Sequence, residues 1–261
     1  MKNPDKSLEN HLPKQIYFFA TCVIDMFMPQ AGMDAITVLQ QAGIHVEFPQ
    51  AQSCCGQPAY TSGFPEEARR VAAAQLDLFP EDFPIVVPSG SCGGMIKHHW
   101  PKLFADDPAQ LAKAQAIAAR VVEFSELVLQ FPDTFWSTAT PQIQKIVLHT
   151  SCSARREMGS LTTGVAVLRK LPGVQLQMQD HESECCGFGG TFSVKHPAVS
   201  AAMAEDKLAA IRATGCEQFV SADCGCLLNL NHTLEKQGDS LRGVHIASLI
   251  KQSLAVGKHD E

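Results

Sequence analysis

The sequence has no excess of basic charge, no long apolar run and no secretory leader. Its 21 Lys and Arg stand against 27 Asp and Glu, a formal net charge of -6. Nucleic acids and anionic membrane surfaces attract basic faces, so neither is an expected partner. No uninterrupted apolar stretch approaches the ~18 residues of a membrane helix, which argues against direct membrane insertion. Residues Met1 to Gln15 are polar and mixed in charge, without the apolar core and small-residue cleavage site of an export signal. The expectation is a cytoplasmic protein. With 45% apolar and 18% charged residues the composition is that of a packed chain, not a disordered one.

What the sequence has instead is cysteine, ten in 261 residues. In a reducing compartment such clusters bind metal or do redox chemistry more often than they form structural disulfides. Adjacent cysteines are also poor disulfide partners for each other, because the bridge would strain the peptide between them. The phrase Cys-Cys-Gly occurs twice, at Cys54-Cys55-Gly56 and at Cys185-Cys186-Gly187. Each copy has one cysteine upstream, Cys22 or Cys152, separated from it by 31 or 32 residues. Each also has a thiol downstream: Cys92 in the first half, Cys226 or alternatively Cys224 in the second.

The regions around the cysteines repeat too. Short apolar runs at Gln15 to Ala20, His45 to Phe48 and Pro84 to Val87 read as buried strands of a parallel sheet. Helical patterns lie between them, at Gln30 to Gln41 and after Pro65, with one long stripe from Asp107 to Phe131. Strands at Ile143 to Thr150, Val174 to Met178 and Gln218 to Ser221 repeat the order, with helices at Gly159 to Leu171, Ala198 to Ala213 and Val244 to Leu254. The turn-rich stretch Pro132 to Pro141 separates the copies. The expected fold is therefore α/β, with two tandem Rossmann-like domains, residues 1–135 and 136–261, related by a pseudo-twofold axis. Each is a small parallel sheet flanked by helices. Cysteines at strand ends and helix starts lie where parallel sheets place their sites, and a cleft between the halves is the expected location.

Four thiols converging from three strand ends meet the need of an iron-sulfur cluster for soft anionic ligands. Zinc is the alternative, although the short Cys-x2-4-Cys knuckles usual in structural zinc sites do not occur. A metal-free dithiol site, with Cys54 and Cys55 as its thiolates, is a third reading. His149 and His181 lie near the second set as candidate proton donors or as hydrogen-bond partners of the ligand thiols, with a satisfied structural role the simpler reading. His98 and His99 read as solvated, and Arg155 and Arg156 as a solvated helix start or an anion contact.

The spacing, together with Cys54-Cys55-Gly56-Gln57-Pro58-Ala59, Ser89-Gly90-Ser91-Cys92, Cys185 to Lys195 and Cys226-Leu227-Leu228-Asn229, resembles the cysteine-rich CCG domain family. That family includes the heterodisulfide reductase B subunit and the glycolate oxidase iron-sulfur subunit. Within it the chain is most similar to the LutA/YkgE family of lactate-utilisation proteins, over nearly its whole length. The resemblance implies an iron-sulfur electron-transfer subunit of a multi-protein complex that oxidises L-lactate to pyruvate, not active alone. It implies one or two clusters, [4Fe-4S] in type. The ligands would be Cys22, Cys54, Cys55 and Cys92 in one half and Cys152, Cys185, Cys186 and Cys226 in the other. Heterodisulfide reductase domains use five cysteines. Here Cys92-Gly93-Gly94-Met95 reads as keeping the first thiol of a Cys-x-x-Cys, and Asp223-Cys224-Gly225-Cys226 the second, so four remain per half.

Overall fold

The computed structural model describes residues 12–141 and 143–255, which leaves most of the polar stretch before Gln15 outside the described residues. Strands β1 (Gln15–Phe18), β2 (His45–Glu47), β3 (Ile85–Val87) and β4 (Val121–Glu123) form one sheet in the order β2-β1-β3-β4. Strands β5 (Gln144–Leu148), β6 (Val174–Gln177), β7 (Gln218–Ser221) and β8 (Arg242–His245) form a second, β6-β5-β7-β8. Every pairing is parallel. The same topology twice, with helices on both faces, is the tandem Rossmann-like α/β arrangement that the repeat implies.

Side-chain alternation along the strands sorts the core into three layers. Ile16, Phe18 and Val86 of the first sheet face Ile146, Leu148 and Val220 of the second across one shared core. The intervening residues point outward: Tyr17, Phe19, Ile85 and Val87 into one outer core, Val147 and Phe219 into another. Helices fill the shared layer reciprocally. The helix Pro29–Gln41 of the first half packs on Ile246–Ala255 of the second, and Ser160–Lys170 of the second on Phe124–Val128 of the first. A second reciprocal pair lies nearer the cysteines, with Cys152–Met158 on Gly90–Gly94 and Cys22–Phe27 on Cys224–Gln237.

One strand lies wholly where helix was expected, and another, β8, takes the first two residues, Val244 and His245, of the expected last helix. β4 follows the helix Pro108–Arg120 without a turn and runs directly into Phe124–Val128, so the stripe from Asp107 to Phe131 is helix, strand and helix. β8 likewise runs into Ile246–Ala255. Strands of three or four residues are too short to display a period of two, and Val121 and Val122 fit the helical stripe equally well. The glycine-rich run after β3 is helical, Gly90–Gly94 followed by a π-turn at Met95–His99. On the long helix Pro197–Arg212, the apolar positions Val199, Leu208 and Ile211 suggest one buried face, and Leu208 and Ile211 are buried, but Val199 is exposed. Met33 of the earlier helix is exposed too, and Ala31, Ala35, Val38 and Leu39 carry its buried face. The separating stretch folds back as well, where the short helix Asp133–Trp136 buries Trp136 in the shared core.

Glycine makes a close contact between the halves possible. A Cβ on Gly90 would sit 2.5 Å from the Cβ of Ala154 on the facing helix. Gly90→Ala is therefore expected to cost about 1–3 kcal/mol through overpacking. Urea unfolding measures that loss, and adding Ala154→Gly in the same chain should recover most of it.

Candidate metal centre

In each sheet the order reverses between the first and third strands, the switch point at which parallel α/β sheets bind ligands beyond their carboxyl ends. The cysteines lie there. Cys22 and Cys152 begin helices four residues beyond β1 and β5. Cys92 and Cys226 each come five residues after the end of β3 and β7. Their neighbours match as well: Gly93 N–H donates to Ser89 O at 2.9 Å, and Leu227 N–H to Asp223 O at 3.1 Å. Cys92 and Cys226 are therefore equivalent, and Asp223 is the counterpart of Ser89. This corrects the reading in which the halves retained opposite thiols of a Cys-x-x-Cys. Length counted from the strand ends, not from the Cys-Cys pair, sets the register.

The Cys-Cys-Gly loops follow β2 and β6. In both, the glycine adopts a left-handed conformation, φ 87° at Gly56 and 84° at Gly187. Its N–H thereby points back at the first cysteine, Gly56 N to Cys54 Sγ and Gly187 N to Cys185 Sγ, each 3.4 Å. The carbonyl of the second cysteine is tied down in each half, Cys55 O by Trp100 Nε1 and Cys186 O by Asn229 Nδ2, both 2.8 Å. A side chain at Gly187 would strike Ser200 O at 2.5 Å.

The structure brings the sequence-derived thiols together in two groups. Cys22 contacts Cys54, Cys54 contacts Cys55, and Cys55 contacts Cys92. In the second group Cys152 Sγ lies 3.9 Å from Cys185 Sγ, and Cys186 Sγ interacts with Cys185 and lies within 4.8 Å of Cys226 Sγ, all as free thiols. All eight line one cavity of about 330 Å³, together with Tyr60, His99, Arg156 and Asp223. Cys224 does not line it. That thiol is buried at the start of the helix Cys224–Gln237, where it packs in the outer core. Cys216, to which the repeat assigns no role, is buried in the same core.

The electrostatics favour a bound soft cation. Hydrogen bonds from Cys22 and Cys55, reinforced by backbone amides, pull the Cys54 thiol down to about 3. Cys22 and Cys55 are pushed up by the same contacts with Cys54 and by burial. Cys152 is raised by its bond to Cys185 and by burial. Each group thus crowds four sulfurs into a space that disfavours more than one negative charge unless a positive ion joins them. The residues present fit an iron-sulfur cluster or zinc.

Beneath the thiols lies a polar network that the sequence reading missed. Asp223, buried, accepts from Ser89 Oγ (2.9 Å), Ser91 N (3.1 Å), Ser91 Oγ (2.5 Å) and Ser151 Oγ (2.6 Å). Ser89 and Ser91 belong to the first half, so one carboxylate joins the loops that carry Cys92, Cys152 and Cys226. Nearby, Glu123 is bonded through one oxygen to Ser125 N and Oγ, and its other oxygen has no partner. Burial pushes Glu123 up to about 7.

The histidines divide sharply. His99, expected in solvent, bridges Tyr60 OH (3.2 Å) and Glu157 Oε1 (3.0 Å) at the cavity wall, a chain able to pass a proton. His98 contacts Glu157 O at 3.0 Å. His181 is exposed and pairs with Glu184. His149 is fully buried with neither ring nitrogen bonded, and burial lowers it to about 3, so the simple structural reading does not describe it. Arg155 is held by Glu182 and Ser183, whereas Arg156 lines the cavity.

Parallel sheets in tandem, each aiming a Cys-Cys-Gly loop at a common cavity, define a cysteine-rich domain protein with two copies of its motif. The model of the CCG cysteine-rich domain family matches residues 16–97 and 146–231. Lactate utilization protein A of Shouchella clausii (strain KSM-K16) is 36% identical over 235 residues, 90% of this chain and 98% of that protein. Its namesake from Bacillus velezensis is also 36% identical, over 90% of this chain and 98% of its own. Lactate utilization protein A 1 of Bacillus anthracis is 33% identical over 92% and 99%. The chain belongs to the lactate utilization protein A family within the CCG cysteine-rich domain family. In fold it also resembles a hypothetical protein of Helicobacter pylori, with TM-score 0.65 at 10% identity over 93% of this chain and 49% of that one. Among the described residues no helix is long and apolar enough to cross a membrane.

Glu123 provides a test of the buried network. Its raised value favours the protonated acid in the folded state, so its contribution is whole below the 4.5 of a free glutamate and is lost as pH rises through about 7. Relative to wild type, Glu123→Gln should gain stability by about 3 kcal/mol between the free value of 4.5 and neutrality. Denaturant unfolding at a series of pH values measures the gap, and a constant difference would contradict it.

Proposed function

We propose that this protein is an iron-sulfur electron-transfer subunit of a multi-protein system that oxidises L-lactate to pyruvate in the cytoplasm, not active alone. The observation that carries the reading is the convergence of two equivalent thiol quartets on one cavity. Cys22, Cys54, Cys55 and Cys92 would hold one [4Fe-4S] cluster, and Cys152, Cys185, Cys186 and Cys226 a second, in CCG domains 1–135 and 136–261. When bound, such a cluster accepts and releases one electron at a time. Oxidation of a 2-hydroxy acid to a 2-oxo acid yields two electrons, and two quartets supply two places for them. The names of the relatives support lactate as the substrate of the system.

The chain's own residues suit the role. The Gly56 and Gly187 amides steady sulfur charge, the buried second cysteine of each pair limits access of water, and Asp223 fixes the distance between the loops. The partners are other subunits of the lactate system, without nucleic acid and without membrane insertion. A second reading is a zinc-stabilised or metal-free dithiol scaffold in the same complex. The low value of Cys54 favours the dithiol form, and the imidazole and two thiols of His149, Cys186 and Cys226, within 4.8 Å of one another, favour zinc.

Anaerobic purification with iron, sulfide and zinc assays separates the two. Iron and sulfide in equal amounts are expected, with visible absorption and a reduced-state EPR signal. Cys55→Ser and Cys186→Ser should each remove about half the iron, while Cys224→Ser should remove none. Stoichiometric zinc without iron, or no metal after anaerobic reconstitution, would sink the cluster reading.

A further inference from the structure

The two thiol quartets are equivalent in backbone but not in what lies behind them. Immediately after β1 stands Phe19, whose N–H donates to Val86 O at 2.9 Å. Immediately after β5 stands His149, whose N–H donates to Val220 O at 2.8 Å. Val86 and Val220 occupy the same position in β3 and β7, opposite Phe18 and Leu148. One position in the repeat thus carries a phenyl ring in the first half and an imidazole in the second, each fully buried.

A phenyl ring there belongs to an ordinary apolar core. The imidazole does not, because a buried polar nitrogen without a hydrogen bond costs about 1–3 kcal/mol and the ring has two of them. A ring nitrogen, Cys186 Sγ and Cys226 Sγ all lie within 4.8 Å of one another. Ser160, whose Oγ is also without a hydrogen-bond partner, and His149 both line a small recess beside the segment leading to Cys152. Among the described residues no carboxylate or carbonyl is bonded to this ring. The atoms in reach that gain most from an N–H donor are sulfurs bearing ligand charge.

We propose that His149 donates a hydrogen bond to the sulfur of Cys186 or Cys226 in the metal-loaded protein, making the second site the one of higher reduction potential. This rests on the cluster reading above. Hydrogen bonds to cluster sulfurs stabilise the more negative, reduced state and raise the potential, whereas Phe19 offers the first site nothing comparable. His149 is then a potential-setting residue, not a ligand, since four thiols already complete its quartet. Within one cavity the electron of lower energy resides on the second site, which gives transfer between the halves a direction.

The test is an EPR-monitored redox titration of the anaerobically reconstituted full chain. Two distinct midpoints are expected in wild type. His149→Phe, which installs the first half's residue, should lower the upper midpoint and leave the other in place. His149→Gln, which keeps an N–H donor, should restore part of the difference. Phe19→His should raise the lower midpoint, and it carries the test if His149→Phe does not fold. Two iron-sulfur signals with coincident midpoints, or an upper midpoint unmoved by His149→Phe, would overturn the inference while leaving the cluster reading intact. Wild-type protein without iron would remove both.

Discussion

One buried carboxylate sets the geometry on which the thiol cavity depends. Asp223, in the segment of Cys226, takes hydrogen bonds from Ser89 and Ser91 beside Cys92 and from Ser151 beside Cys152, so the contact joins the segments of three of the eight thiols. Because Ser89 is its counterpart in the repeat, the bond between them lies where the two halves meet, and each half contributes one side of it. Hydrogen bonds to an ionised group are worth more than neutral ones, and here the alternative is a buried charge left bare. The thiols of Cys22, Cys92, Cys152 and Cys226 sit in the first turns of helices that belong to different halves, so their spacing depends on this contact and on the Gly90–Ala154 approach.

From that centre the fold separates what is common from what is particular. The sheets, the left-handed Gly56 and Gly187 and the amide bonds to Cys54 and Cys185 are common to both halves, and they serve any soft metal group. The particular features are single substitutions within the repeat: Asp223 for Ser89, His149 for Phe19, Cys224 for Gly90. The first ties the halves together, the second brings an imidazole to one quartet, and the third fills outer core. A duplicated scaffold can therefore hold two sites of one kind and still treat them unequally.

Much of this was legible in the sequence. The duplication, six of the eight strands and the eight cavity thiols follow from Cys-Cys-Gly and the apolar runs before it, because strand ends deliver residues at fixed offsets. β4 and β8 were not legible, since three or four residues merging into helix show no period. The alignment of Cys92 with Cys226 was hidden as well, because counting from the Cys-Cys pair includes helices of unequal length. Asp223 and Glu123 carry no motif; only burial and partners distinguish them from surface acids. His149 stood near the cysteines in sequence, but its lack of bonds is a property of the packed core alone.

The reciprocal packing of helices also bears on how the molecule comes into being. Pro29–Gln41 is covered by Ile246–Ala255, which is synthesised about two hundred residues later. A chain leaving the ribosome N-terminus first cannot close its early sheet over a partner not yet made. The shared core of Ile16, Phe18 and Leu39 is completed only when Ile246, Leu249 and Ile250 join it. The same delay holds for the loop of Cys92, whose anchor Asp223 is translated much later. The arrangement of the Cys92 loop is therefore completed only by residues far along the chain.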